Sequence, residues 1–302
     1  MCRDAFRNFH FNRSLSRNSD VDGAGGRIPM PLVPTQEDAI GFLRGITNGD
    51  DAVVSSPYYI GVADGVGAWN TRPQGHAALW SRLILHFWAL ETEQQVLRFN
   101  SCNYEPLSED NSLLSPISAL QASYETSTAI TKPFPFLGTT TACLALLLPP
   151  TTLLLTNVGD SQAFVFRPSE GKFIARTEEQ WHWFDCPRQL GTNSPDTPEG
   201  VGKVVDVQVE EGDLVLVATD GLVDNLWEAE IVRELTQLVE TGEKEEQMAE
   251  KLVQKAKSVA EDPWGLSPYM ERAVEQGLGI EGGKWDDISV VIARCQRRPE
   301  EN

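Results

Sequence analysis

Cysteine is scarce and poorly spaced in this chain: Cys2, Cys102, Cys143, Cys186 and Cys295 are an odd number with no Cys-x-x-Cys pair. That argues against a disulfide framework or a thiolate zinc site and fits a reducing compartment. Basic residues are short as well, 25 against 44 acidic ones for a net charge of −19, which speaks against nucleic acid as a partner, because a phosphate backbone wants a basic face. A long hydrophobic run is missing too. The greasiest stretch, Leu144 to Leu155, is broken by Pro149 and Pro150; it falls short of a bilayer crossing, so no membrane span is expected. It reads as two core strands joined by a turn.

What the chain has instead is acid. The surplus reads first as solubility, but an acidic protein acting on phosphate groups needs bound metal to reverse its local field. With 41% apolar and 23% charged residues, the 302 positions suffice for one large domain or two small ones. Residues 1–34 stand apart from 35–302. Arg3, Arg7, Arg13 and Arg17 lie among Phe, Asn and Ser, Asp4 and Asp20 are the only acids of the first twenty residues, and Asp22-Gly23-Ala24-Gly25-Gly26 follows. Such a start reads either as an organelle transit peptide or as a disordered tail.

Beyond it, Ala52-Val53-Val54 and Tyr58 to Val62 form a hairpin around Ser55-Ser56-Pro57, with Asp50 and Asp64 at its outer ends. Helical periods run from Ala77 to Leu97 and from Pro116 to Ile130. Strand texture follows at 139–147, 152–157, 163–166, 204–209 and 214–218, and helices return through Ile231 to Val239 and Met248 to Ala256 before a closing strand, Ile288 to Ala293. Segregated strands and helices predict an α+β layered domain with antiparallel sheets.

Three aspartate runs carry the chemistry: Ala63-Asp64-Gly65-Val66, Ala218-Thr219-Asp220-Gly221-Leu222-Val223-Asp224, and Lys284-Trp285-Asp286-Asp287. Converging carboxylates repel one another unless a cation neutralises them. A glycine after the acid lets its carbonyl turn toward the same ion. Aspartates without histidine at ligand spacing favour Mg²⁺ or Mn²⁺ over zinc. His10, His76, His86 and His182 lie away from the motifs in sequence, with His182 between Trp181 and Trp183.

Taken in order, Gly49-Asp50-Asp51-Ala52, Ala63-Asp64-Gly65-Val66-Gly67-Ala68-Trp69, Gly138-Thr139-Thr140-Thr141-Ala142-Cys143, Asn157-Val158-Gly159-Asp160-Ser161, Ala218 to Asn225 and Trp285-Asp286-Asp287-Ile288-Ser289 resemble the metal-dependent protein phosphatases of the PP2C type. Val66, Trp69 and the segment Phe184 to Gly191 resemble its mitochondrial PTC7-like branch. The resemblance implies a four-layer α-β-β-α sandwich of two antiparallel sheets flanked by helices. It implies hydrolysis of phosphoserine and phosphothreonine in phosphorylated protein substrates by a water activated at a dinuclear Mg²⁺/Mn²⁺ centre. It also places the chain in mitochondria, with the cytoplasm as the alternative, and a monomer is expected.

Carried over residue by residue, Asp64 bridges two metals, Gly65 offers its carbonyl, and Asp220 and Asp286 complete the first metal. Asp50 serves the second in place of the usual glutamate, while Asp160 and Asp224 gather a third, weaker ion with Asp220. Two departures stand out. Val66 replaces a histidine that is a candidate acid for the leaving alcohol. Ile46 replaces a phosphate-clamping arginine, leaving Arg44 and Arg188 as the weak alternatives. These departures motivate a second reading, a pseudophosphatase that binds phosphoproteins without turnover.

Overall fold

Along each central strand the apolar residues divide by parity, and that division builds the layers. The computed structural model describes residues 9–17, 43, 45–101, 114–148 and 150–297. In chain order its elements are β1 (Phe9–Arg17), β2 (Ile46–Asn48), β3 (Asp51–Ser55), β4 (Tyr59–Ala63), α1 (Ala77–Ser101), α2 (Pro116–Thr131), β5 (Thr139–Thr140), β6 (Ala142–Leu148), β7 (Thr152–Val158) and β8 (Gln162–Arg167). There follow β9 (Lys172–Arg176), β10 (Trp181–Trp183), β11 (Cys186–Pro187), β12 (Leu190–Gly191), β13 (Lys203–Gln208), β14 (Leu214–Ala218), α3 (Glu228–Glu240), α4 (Glu245–Ala260), α5 (Pro268–Glu275) and β15 (Ser289–Arg297).

One sheet runs β13-β7-β6-β4-β3-β2 and the other β1-β15-β14-β8-β9, with every neighbouring pair antiparallel. Val53, Val62, Cys143 and Leu155 of the first sheet meet Val165, Val215, Val217 and Val291 of the second in a buried core between them. The alternate residues face outward. Val54, Ala142, Leu144 and Leu146 pack under Ile84, Leu85, Trp88 and Leu120 of α1 and α2. Phe164, Leu214, Leu216 and Ile292 pack under Ile231, Leu235, Met248 and Leu252 of α3 and α4. A period of two on strands buried on both faces thus yields the expected α-β-β-α sandwich.

The register fixes where the acids go. Ala52 pairs with Ala63, while Ala218 pairs with both Val290 and Gln162. The residues just beyond these pairs, Asp51, Asp64, Asp160, Asp220 and Asp286-Asp287, therefore leave both sheets at one end.

Two sequence expectations need correction. Residues 9–17, read as part of a tail within 1–34, form β1, an edge strand pairing with β15 from Phe9↔Arg297 to Arg17↔Ser289. An edge strand joins through its backbone and needs little apolar sequence, so arginine-rich composition concealed it. The stretch 139–147 is also not one strand: β5 pairs with β12 and β6 with β4 and β7, with Thr141 between them. The ribbon β10-β11, with β9 and α5, lacked a periodic signal.

Candidate metal centre

Asp64 follows β4 directly, and neighbouring threonines pin its backbone. Its N–H donates to Thr141 Oγ1 at 3.0 Å, while Thr140 Oγ1 and the Thr141 N–H each donate to its carbonyl at 2.8 Å. Gly65 is required for close approach, since a Cβ there would lie 2.4 Å from the Asp50 carbonyl oxygen. Asp160 lies on the turn between β7 and β8. Before it Gly159 adopts φ +101°, where a side chain would also strike Thr141 at 2.6 Å. Asp220 opens a single helical turn after β14.

These three residues each offer a carboxylate oxygen, and the three atoms lie within 4.8 Å of one another. Asp160 Oδ1 and Asp220 Oδ1 are buried with no hydrogen-bond partner. A native fold rarely leaves such acceptors orphaned, and oxygen-only ligands facing one another suit a hard divalent cation. Burial, then the charge of Asp220, holds the Asp64 carboxyl well above the usual range; burial and Asp220 do the same to Asp160. Burial is the largest influence on Asp220 and works upward, but the charge and hydrogen bond of Lys284, with hydrogen bonding from Asp64 and the Gly221 backbone, together draw the group below its ordinary value.

Asp160, read as an outer-site residue, stands in the central group, whereas Asp286, read as a first-metal ligand, is not in that group. Asp286 lies 3.4 Å from Lys284 Nζ, and burial with the nearby Asp220 raises its carboxyl to about 7. Asp50, read as the second-metal ligand, is likewise absent from the group. Its side chain accepts from Asn70, and its backbone N–H donates to Asp287 Oδ2 at 2.8 Å. Asp224 is engaged by Arg272 and by Lys284 Nζ, the latter at 2.9 Å. Arg188 is tied to Asp196 at 3.0 Å, and Arg44 lies outside the described residues.

Sequence reading missed three contributors. Asp51 is 1% exposed, accepts from Thr219 Oγ1 at 2.9 Å and is raised by burial and then by Asp287 and Asp286. Its signal was its place at the start of β3, one residue from Asp50. Trp181 Nε1 donates to Asp160 Oδ2 at 3.1 Å, and Arg272 lies over the Trp181 ring at 5.1 Å. Lys284 reaches Asp220 Oδ2 at 2.5 Å; only its position two residues before Asp286 marked it. Beside the centre, Trp69, Thr139, His182, Cys186 and Gln189 line a cleft of about 330 Å³, where His182 Nε2 meets Asp196 Oδ2 at 2.7 Å.

The sequence profile of the family described as Protein phosphatase 2C matches residues 44–255. A relative from Homo sapiens, named Protein phosphatase PTC7 homolog, is 32% identical over 300 residues, covering 92% of this chain and 92% of that protein. Its namesake from Xenopus laevis is 32% identical over 265 residues, covering 83% of this chain and 82% of its own length. Among solved structures, the photosystem II phosphatase PBCP superposes with a TM-score of 0.69 at 22% identity, over 94% of this chain and 98% of that one. The catalytic domain of the serine threonine protein phosphatase PstP, in complex with 2 manganese ions, superposes with a TM-score of 0.56 at 18% identity, over 95% of this chain and 99% of that one. At these identities the two structures speak to the fold.

Proposed function

The chain belongs to the protein phosphatase 2C family, and from that premise we propose that it is a metal-dependent phosphatase that hydrolyses phosphoserine and phosphothreonine in proteins. The observation that carries this reading is the convergence of Asp64, Asp160 and Asp220 around two orphaned, buried carboxylate oxygens. Those residues fit a hard cation, and we assign two ions, Mg²⁺ or Mn²⁺, to Asp64, Asp160 and Asp220 with the Gly65 carbonyl, Asp286 and Asp50 around them. When bound, such ions supply charge neutralisation and Lewis acidity toward a phosphate ester.

The remaining work falls to the protein. Thr140 and Thr141 fix Asp64 by its backbone, so the Cα from which its carboxylate reaches the centre is held in place. Trp181 orients Asp160 through one oxygen and leaves the other free. Thr219 holds Asp51, whose carboxylate, when ionised, adds to the field favouring cations. With valine at position 66, that side chain donates no proton to a departing alcohol.

Release of phosphate from a phosphothreonine peptide, measured with added Mn²⁺ for the unaltered chain and for Asp64→Ala, tests the reading. Activity that needs Mn²⁺ and disappears in the variant is expected; activity surviving the substitution would sink it. For the cellular site we propose mitochondria, supported by the arginine-rich, acid-poor start of the chain. Fusing residues 1–30 to a fluorescent protein tests this without disturbing β1 in the enzyme, and diffuse fluorescence counts against it.

A further inference from the structure

Lys284 lies amid the acids of the centre, and its place is built rather than incidental. Its side chain is 17% exposed, and Nζ stands 2.5 Å from Asp220 Oδ2, 2.9 Å from Asp224 Oδ2, 3.1 Å from Asp185 Oδ1 and 3.4 Å from Asp286 Oδ2. The Tyr269 ring lies 5.4 Å from the ammonium. Asn225, fully buried, clamps the lysine backbone on both sides: the Lys284 N–H donates to Asn225 Oδ1 at 3.0 Å, and Asn225 Nδ2 donates to the Lys284 carbonyl at 2.9 Å. The same Nδ2 also donates to the Gly221 carbonyl at 2.9 Å. Asn225 thus locks Lys284 in register with the helical turn that carries Asp220 and Asp224.

The consequence concerns how Asp220 divides its two oxygens. Oδ2 is taken by the ammonium, while Oδ1 is buried without a hydrogen-bond partner, in a residue that shares the central group with Asp64 and Asp160. Asp224 likewise spends Oδ2 on Lys284 and Oδ1 on Arg272. A Mg²⁺ or Mn²⁺ ion shared by Asp220 and Asp224 would sit about 2.1 Å from the same oxygens. It would overlap the ammonium and meet its full positive charge in a buried setting, where like charges repel strongly.

We propose that the Lys284 ammonium permanently fills the place of a third divalent ion between Asp220 and Asp224, so that the chain binds two ions and no third. The inference rests on reading the centre as a two-ion site. Its immediate effect is that Asp224 and Asp185 serve the fixed cation and the segment between β10 and β11, not an exchangeable metal.

Equilibrium dialysis and calorimetry with Mn²⁺ alone, carried to saturation at millimolar concentration, count the ions directly. The unaltered chain should hold two, Lys284→Arg two, and Lys284→Met three; adding Asp224→Asn to Lys284→Met should return the count to two. Asp224→Asn in the otherwise unaltered chain should leave two, which gives a test that does not depend on Lys284→Met folding. Three ions on the unaltered chain, a loss of one ion on Asp224→Asn alone, or two ions on a folded Lys284→Met would each overturn the proposal while the two-ion reading stands. No bound ion on the unaltered chain would overturn that reading, and this proposal with it.

Discussion

Thr219 Oγ1 donates a 2.9 Å hydrogen bond to Asp51 Oδ2 across the gap between the two sheets. The same hydroxyl accepts from the Ser289 N–H at 3.0 Å, and Asn48 Nδ2 donates to Ser289 Oγ at 3.1 Å. The ends of β2, β3, β14 and β15 are thereby tied together beneath the carboxylates. Thr219→Val leaves Asp51 a buried acceptor short of a partner. It should destabilise the metal-free fold by about 1–3 kcal/mol, read as a lower midpoint in urea unfolding with an unchanged slope.

Trp181 touches Asp160 through its indole N–H, so Trp181→Phe keeps the ring and removes one bond. Loss of such an outer partner should weaken Mn²⁺ binding by roughly 10-fold. Calorimetric titration checks it, and unchanged affinity would show that Asp160 needs no orientation by Trp181.

Asp220→Asn removes the carboxylate shared by the central group and Lys284. Because losing a mere outer partner costs up to roughly 100-fold, the loss in Mn²⁺-dependent turnover should exceed that. The variant should also release Lys284 from its shortest contact. Turnover within ten-fold of the unaltered chain would remove Asp220 from the centre.

Burial, offset in part by Lys284, raises Asp224 to about 6, and burial with Asp220 raises Asp286 to about 7, against an ordinary value of 3.8. Groups raised in the fold bind protons there that the unfolded chain has released. The metal-free protein therefore loses stability as pH climbs from about 4 toward 7. A cation held beside Asp286 competes with its proton, so the gain in Tm on adding Mn²⁺ should be larger at about pH 8 than at about pH 5.5. Thermal denaturation at both values checks the sign, and an equal gain would contradict it.

Far from the centre, Arg167 holds the buried Asp213 with Nε at 3.1 Å and Nη2 at 2.8 Å. Arg167→Ala strands that carboxylate and should cost about 3–5 kcal/mol while leaving the Mn²⁺ ion count unchanged. It is the control that separates lost stability from a lost site.

Much of this molecule was legible in its sequence. Strands such as Leu214 to Ala218 announce themselves by apolar content, and their parity divides them between the inner core and the outer helices. The acids stand immediately beyond strand ends, so an antiparallel register gathers Asp64, Asp160 and Asp220 at one end of the sandwich. The arginine-rich start concealed β1, because an edge strand is recruited by backbone hydrogen bonds that composition does not record.

The sequence by itself determined the residue types, the layers and a cluster of aspartates demanding a cation. Only the tertiary structure decided which oxygen faces which. It set Asp160 beside Asp64 and Asp220, paired Asp50 with Asn70, buried Asp51 against Thr219, and set Lys284 against Asp220, sixty-four positions away in the chain. The physical reason is that a carboxylate's partner is chosen by ångström-scale distance in a poorly screening interior. A lysine read along a sequence is ordinarily a solvated surface charge.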